Sequence, residues 1–187
     1  MAQSDLSSVT REITLRSATA ADAFDIASIH VRAWQAAYRG LVPDAYLASL
    51  SIEKRHAYWS EVLSNPLQDA TKLTTTVAIE HDRVVGWVAT SASRDKDNGA
   101  GWGEIQAIYL EPSVRRQGIG SRLTREALTA LATAGYTHAS LWVLSENTAA
   151  RLFYERMGLA AEQASQKTFK LGEAELSEIR YAIALTG

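Results

Sequence analysis

The chain reads as a mixed α/β domain, and three observations carry that reading. Short segments with strand-like alternation are interleaved with longer segments of helical period. The 187 residues, 47% hydrophobic and 21% charged, suit one soluble domain with a sizeable core. No internal repeat, low-complexity tract or linker divides the sequence.

The elements follow in order. Residues 1–10 read as a flexible tail, so a single domain is expected over 11–187. "EITLRSA" alternates Ile13 and Leu15 with polar neighbours and predicts the first strand. "TAADAFDIASIHVRAWQAAYRG" predicts a helix with Thr19 as N-cap and Asp22 in the first turn. Ile26, Ile29, Ala33 and Ala37 form its apolar stripe, and Gly40 stands where a C-terminal cap belongs. "LVPDAYLASLSIEKRHAYWSEVLSNP" predicts two shorter helices broken near Ser51. "KLTTTVAIE" and "VVGWVATSA" flank the polar "HDR" and predict a hairpin. After the turn-rich "RDKDNGAGWG", the strand "EIQAIYL" is ended by Pro112. Residues 118–134 carry Ile119, Leu123, Ala127, Leu131 and Ala134 at helical spacing, closed by Gly135. "HASLWVL" predicts a central strand buried on both faces. "ENTAARLFYERMG" predicts a helix ending at Gly158, and the remainder predicts two strands around Gly172.

Composition narrows the function. A formal charge of -2 offers no global attraction for nucleic acid or an anionic membrane. The absence of cysteine excludes disulfides, thiolate metal sites and a cysteine nucleophile. The polar N-terminus lacks the apolar stretch of a signal peptide, and no run approaches the ~18 apolar residues of a membrane span. A cytoplasmic protein is expected. His30, His56, His81 and His138 show no metal-ligand spacing, with His81 in a turn and His138 at a strand edge, so no metal is expected. G-x-S-x-G is absent.

The stretch "RRQGIGSRL" at 115–123 carries the chemistry. A strand, a glycine turn and a helix N-terminus together suit a phosphate, because unpaired N–H groups and the macrodipole face the anion. Glycines admit close backbone approach, and Arg115 and Arg116 offer charge-assisted contacts. A Walker loop would need a lysine after Gly120, and a dinucleotide fingerprint a third glycine where Leu123 stands. Alone, the glycine pair fits equally a plain strand-to-helix turn with solvated arginines.

The surroundings decide between these. "AIYLEPSVRRQGIGSRLTREAL" resembles motif A of the Gcn5-related N-acetyltransferase (GNAT) family, R/Q-x-x-G-x-G/A, met by Arg115, Gly118 and Gly120. "LWVLSENTAARLFYERMGL" is similar to the family's motif B, and the close resemblance covers residues 104–159. It implies a mostly antiparallel central sheet of about seven strands flanked by helices, with a V-shaped slot between the motif A and motif B strands. It implies acetyl-CoA as cosubstrate, its pyrophosphate on the backbone N–H groups of Gln117, Gly118, Ile119, Gly120 and Ser121, helped by Arg115 or Arg116. The backbone of Ile108, Tyr109 and Leu110 would pair with the pantetheine arm, the Leu110 N–H would serve the oxyanion, and Asn147 would bond a pantetheine amide.

Acetyl transfer to an amine needs loss of the amine proton, donors for the oxyanion and a proton for the thiolate. Tyr154 is the acid candidate: a phenol of pKa ~10 stays protonated beside a thiol of ~8.5. Asn147, Arg151 and Tyr154 fall on one stripe of their helix, opposite Leu152, Phe153 and Met157. Glu104 resembles the glutamate that histone-acetylating members use as base, and strict alternation would set it on one face with Gln106, Ile108 and Leu110. Trp34 and Tyr38, at i and i+4 beside His30, are either core aromatics or the wall of an acceptor site shared with "GLVPDAY". The expected activity is acetylation of a small-molecule primary amine, with no nucleic-acid or membrane partner and a homodimer allowed. Its rivals are a protein N-terminal or lysine acetyltransferase, a non-catalytic acyl-CoA sensor and a nucleotide-binding module.

Overall fold

Strand pairing sets the architecture. The computed structural model describes residues 12–65 and 73–186, so the expected tail, 1–10, lies outside the described residues. In chain order the elements are β1 (Ile13–Ser17), α1 (Ala23–Ala37), α2 (Asp44–Ser49), α3 (Ile52–Ser64), β2 (Thr74–Glu80), β3 (Arg83–Ala92), β4 (Trp102–Leu110), α4 (Ile119–Thr133), β5 (His138–Leu144), α5 (Thr148–Arg156), β6 (Ala160–Ala161), β7 (Lys167–Leu171) and β8 (Ala174–Ala184). They form one eight-stranded sheet in the order β1-β2-β3-β4-β5-β8-β6, with β7 also on β8. All pairings are antiparallel except β4 with β5. The eighth strand is the two-residue β6, too short to show an alternation in the sequence.

Local chemistry explains the joints. The β2–β3 hairpin turns on His81 and Asp82, both at positive φ (47° and 61°), the geometry that matches the twist of paired strands. Thr19 leads a 3-10 turn, Ala20–Asp22, and α1 begins only at Ala23. The Asp22 carboxylate accepts the Thr19 N–H (2.7 Å) and pairs with both Arg16 terminal nitrogens (2.7 and 2.8 Å). The Arg16 hydrogen bond holds the Asp22 carboxyl below its ordinary range. Ser51 ends the α2–α3 break by capping α3, its Oγ accepting the Lys54 N–H at 3.1 Å.

The sheet is covered on both faces. Ile119, Leu123, Ala127 and Leu131 of α4 bury against Val88, Ile105, Leu141 and Val143, as their spacing requires. Each of the larger side chains, Ile119, Leu123 and Leu131, contributes about 1.5–3 kcal/mol on leaving water. On the opposite face Ile26 and Ile29 of α1 and Trp59 of α3 pack on Val77 and Trp87. A third cluster joins α1 and α2 to the β7–β8 hairpin through Val42, Leu47 and Leu176. Among the described residues, no helix is long and apolar enough to cross a membrane.

Candidate active site

The sheet splits at its centre. β4 and β5 pair only at Trp102↔His138, Gly103↔Ala139 and Glu104↔Ser140, then diverge. This is the expected V-shaped slot. The register against β3 shifts between Ala89↔Ala107 and Thr90↔Ile105, leaving Gln106 as a bulge. That bulge corrects the expected alternation. Ile108 and Leu110 pack with Ile105 on the α4 face, whereas Ala107 and Tyr109 pack on the α1 face. Glu104 pairs with Ser91, two residues from Ala89, so it shares the α1 face and not the face of Ile108 and Leu110.

Main-chain groups line the split. The Glu111 N–H donates to Val85 across β3 at 2.9 Å. Alternation therefore turns the N–H groups of Ile108 and Leu110 away from β3, toward the slot. At its mouth, Gly118 caps α4 in the left-handed region (φ 80°), and Arg116 is also left-handed (φ 61°). Among the described residues, the N–H groups of Gln117, Gly118, Ile119, Gly120 and Ser121 meet no acceptor. A Cβ added at Gly120 would lie 3.4 Å from Leu110 and 3.5 Å from Phe153, in the mouth itself. Arg115 and Arg116 are both exposed, and Arg115 donates to the Ala33 carbonyl of α1 at 3.3 Å. Arg32 chelates Glu111 (2.8–3.1 Å), so α1 is tied twice to this loop.

The second wall is α5. Asn147 caps it, Oδ1 accepting the Ala150 N–H at 3.2 Å, which leaves its amide N–H groups for another partner. Arg151 donates to the buried Tyr181 hydroxyl (3.1 Å), and that hydroxyl donates to Glu155 (2.8 Å). These bonds fix α5 on β8 and aim Tyr154, whose hydroxyl makes no hydrogen bond among the described residues. Burial pushes the Tyr154 phenol above its ordinary value, and nearby Tyr38 adds to the push. Leu152 departs from the expected packed side: it is 46% exposed.

Opposite α5, aromatic side chains of α1 and β4 converge. The Trp34 Nε1–H donates to the Tyr109 hydroxyl at 2.8 Å, and the Trp34 and Tyr38 rings meet edge-on at 4.7 Å. Both expected acceptor-site residues therefore stand beside the slot, partly buried, with Tyr46, Phe169 and Leu171 around them. Two further side chains border the slot. Tyr109, expected to offer only its backbone, turns its side chain to the α1 face. His30 is 8% exposed, its ring 4.8 Å from Tyr109 and 5.9 Å from Trp34, with both nitrogens lacking a partner. Burial, and then Arg55, push its imidazole down to about 3. His30 is thus neutral near pH 7, one ring nitrogen carrying a hydrogen and the other a lone pair. Its i, i+4 relation to Trp34 was the available signal.

Glu104 is 1% exposed and committed. Arg94 bonds its oxygens through Nη2, Nε (3.1 Å) and the main-chain N–H (3.0 Å). The expected base is an engaged carboxylate at the closed end of the split. Nearby, Arg180 binds Asp95, Asp97 and Glu162, and Trp142 also donates to Asp95. No cluster of metal-ligating side chains occurs among the described residues.

Known proteins share this fold. The acetyltransferase (GNAT) family profile matches residues 32–159. The uncharacterized N-acetyltransferase YuaI of Bacillus subtilis (strain 168) is 27% identical over 167 residues, 89% of this chain and 90% of its own. The paia N-acetyltransferase of Thermoplasma acidophilum, solved with coenzyme A, superposes with a TM-score of 0.70 at 19% identity, over 89% of this chain and 98% of its own. yncA of Salmonella typhimurium, solved with its cofactor acetyl-CoA, gives 0.71 at 17% identity, over 94% and 95%. With more than half its length matched by the family profile, the chain belongs to the GNAT acetyltransferase family.

Proposed function

We propose that the chain acts as one acetyltransferase domain that moves an acetyl group from acetyl-CoA to the primary amine of a small molecule, by direct attack in a ternary complex. The observation that carries this reading is the split between β4 and β5, with N–H groups at its mouth and a phenol on its wall that have no partner among the described residues. Those donors fit the cosubstrate: five N–H groups at a helix start suit a diphosphate, and two open strand edges suit an amide-bearing arm. The crystallised relatives that carry coenzyme A or acetyl-CoA support the assignment.

In this reading Gln117 to Ser121 bind the pyrophosphate, with Arg116 the cation better placed than Arg115, which is held by Ala33. Ile108 and Leu110 offer N–H groups to the arm and to the developing oxyanion, and Asn147 donates to an arm amide. Tyr154 protonates the departing sulfur. Trp34 and Tyr38 hold the carbon skeleton of the amine, with cation–π attraction before it loses its proton. Glu104, bound by Arg94, keeps the closed end of the split in shape, and the amine proton leaves through water.

A turnover screen of acetyl-CoA against small amines, aminoglycosides and peptides tests the reading. Small amines should turn over; exclusive turnover of peptides would replace it with protein acetylation, and acetyl-CoA binding without turnover with a sensor. Tyr154→Phe should lower kcat by ~10²-fold with near-normal affinity for acetyl-CoA. An unchanged kcat with chemistry rate-limiting would assign the proton to water. Glu104→Gln should leave the shape of the kcat/KM pH profile unchanged. A fall at neutral pH that recovers at high pH would make Glu104 the base.

A further inference from the structure

The α1 side of the sheet holds an ammonium that already has a seat. The Lys167 Nζ lies 3.5 Å from the centre of the Trp142 ring and 3.3 Å from the Glu178 carboxylate. An aromatic face beside a carboxylate suits an ammonium, because both attract its charged form. Register places this seat. Ala139, Leu141 and Val143 pack with α4, so Ser140, Trp142 and Leu144 look toward α1. β5 leaves β4 after Ser140, and Trp142 is the next side chain on that face. Leu144 follows, clustered with Trp34, Tyr38 and Phe169. Trp142 therefore floors the stretch between the closed end of the split and the aromatic wall of the acceptor site. The charges around it favour a cation. Lys167 is offset by Glu178 and Arg94 by Glu104, whereas Arg180, 5.7 Å from the same ring, faces three carboxylates, Asp95, Asp97 and Glu162. That corner is left net negative. The Lys167 side chain is 51% exposed on a flexible stem, so it can swing into water and free the seat.

We propose that the Trp142 face is an ammonium subsite of the acceptor site, that Lys167 fills it as a stand-in, and that the acceptor is a diamine whose second ammonium takes its place. The inference rests on the acetyl-transfer reading above. A seat that favours the charged form disfavours the nucleophile, so the amine held there is not the one that reacts. The far amine bonds the acetyl carbon and loses its proton to water. Sulfur keeps the electron pair of the broken C–S bond and takes the Tyr154 proton. The seated ammonium keeps its charge throughout and fixes the reach of the reacting end.

Diaminobutane, diaminopentane and diaminohexane are each compared with the monoamine of the same length, in acetyl-CoA turnover and in calorimetry on the coenzyme A complex. The best diamine should exceed its monoamine in kcat/KM by about tenfold or more, mostly through KM. Lys167→Met keeps the apolar stem and vacates the seat, so the diamine KM should fall about threefold or more while the monoamine KM stays within about twofold. Trp142→Phe keeps a ring and should keep the preference for diamines, whereas Trp142→Leu should abolish it. Equal loss in both would leave Trp142 only its bond to Asp95 and overturn the subsite. Equal kcat/KM for diamine and monoamine, or an unchanged diamine KM in Lys167→Met, also overturns it. Should Trp142→Leu fail to fold, the Lys167→Met comparison decides. If no amine is turned over, the acetyl-transfer reading fails by itself and calorimetry decides the subsite. Diaminohexane bound more tightly by Lys167→Met than by the wild type would uphold it, and no difference would overturn it.

Discussion

His30 illustrates how one residue couples the site to stability. Its native imidazole stays neutral down to about pH 3, whereas the unfolded residue titrates near 6.5. Between those values the unfolded chain binds a proton that the native chain refuses. The contribution is therefore whole above pH 6.5 and is lost as pH falls, by about 1.4 kcal/mol per unit once fully engaged. Urea midpoints at pH 7 and pH 5 should separate in the wild type and draw together in His30→Phe; equal separation in both would exonerate His30. The two motif glycines divide their labour. Gly118 supplies a left-handed backbone that alanine would occupy at a cost of about 1–2 kcal/mol. The Gly120 Cβ would meet only ordinary contacts, so Gly120→Ala should fold normally and instead obstruct the mouth. Calorimetry should find acetyl-CoA affinity lowered in both, and wild-type affinity in both would refute the phosphate site. Gly118 was legible because a left-handed turn demands glycine, whereas Arg115 and Gly120 were legible only through the motif they complete. His30 was not, because a histidine beside aromatics looks the same in sequence whether its nitrogens are solvated or sealed.

At the scale of elements, helices read more faithfully than the central strand. The stripe Ile119, Leu123, Ala127, Leu131 specifies a buried face whatever the helix packs on, and the helix starts and stops within a residue of the expected 118–134. β4 misleads because one bulged residue, Gln106, reverses the parity of everything after it. No residue type announces a bulge, so the facing of Glu104 and Tyr109 had to come from three dimensions. The 93–98 segment is likewise set by a distant partner. Arg180 of β8 joins Asp95, Asp97 and Glu162, with its side chain only 9% exposed. Arg180→Leu should cost about 3 kcal/mol by leaving Asp95 and Glu162 unpaired, and should speed hydrogen exchange in 93–98. Unaltered exchange there would show that the Trp142–Asp95 bond suffices.

For the molecule as a whole, the order of the long strands and helices was legible in their periods, while the single, mostly antiparallel sheet with its slot was legible through the family resemblance. Alternation marks a strand, but the pairing of β4 with β5 for three residues only is a tertiary matter, with α4 lying across both strands. Four strands, β1 to β4, lie on one side of that division and four on the other. In mechanical terms the division is a crack running into a plate, and load concentrates at its tip. The tip lies at Glu104 and Ser140, where the Ser140 hydroxyl reaches the Gly103 carbonyl (3.5 Å) and Arg94 grips the Glu104 carboxylate. At that tip the Glu104 carboxylate ties β4 to Arg94 through both of its oxygens. The crack makes the plate most compliant along the direction in which the slot widens, and stiffest across its closed end. Whatever fills the crack must bond both flanks to restore an unbroken sheet, so occupancy should be felt as rigidity in strands far from the ligand.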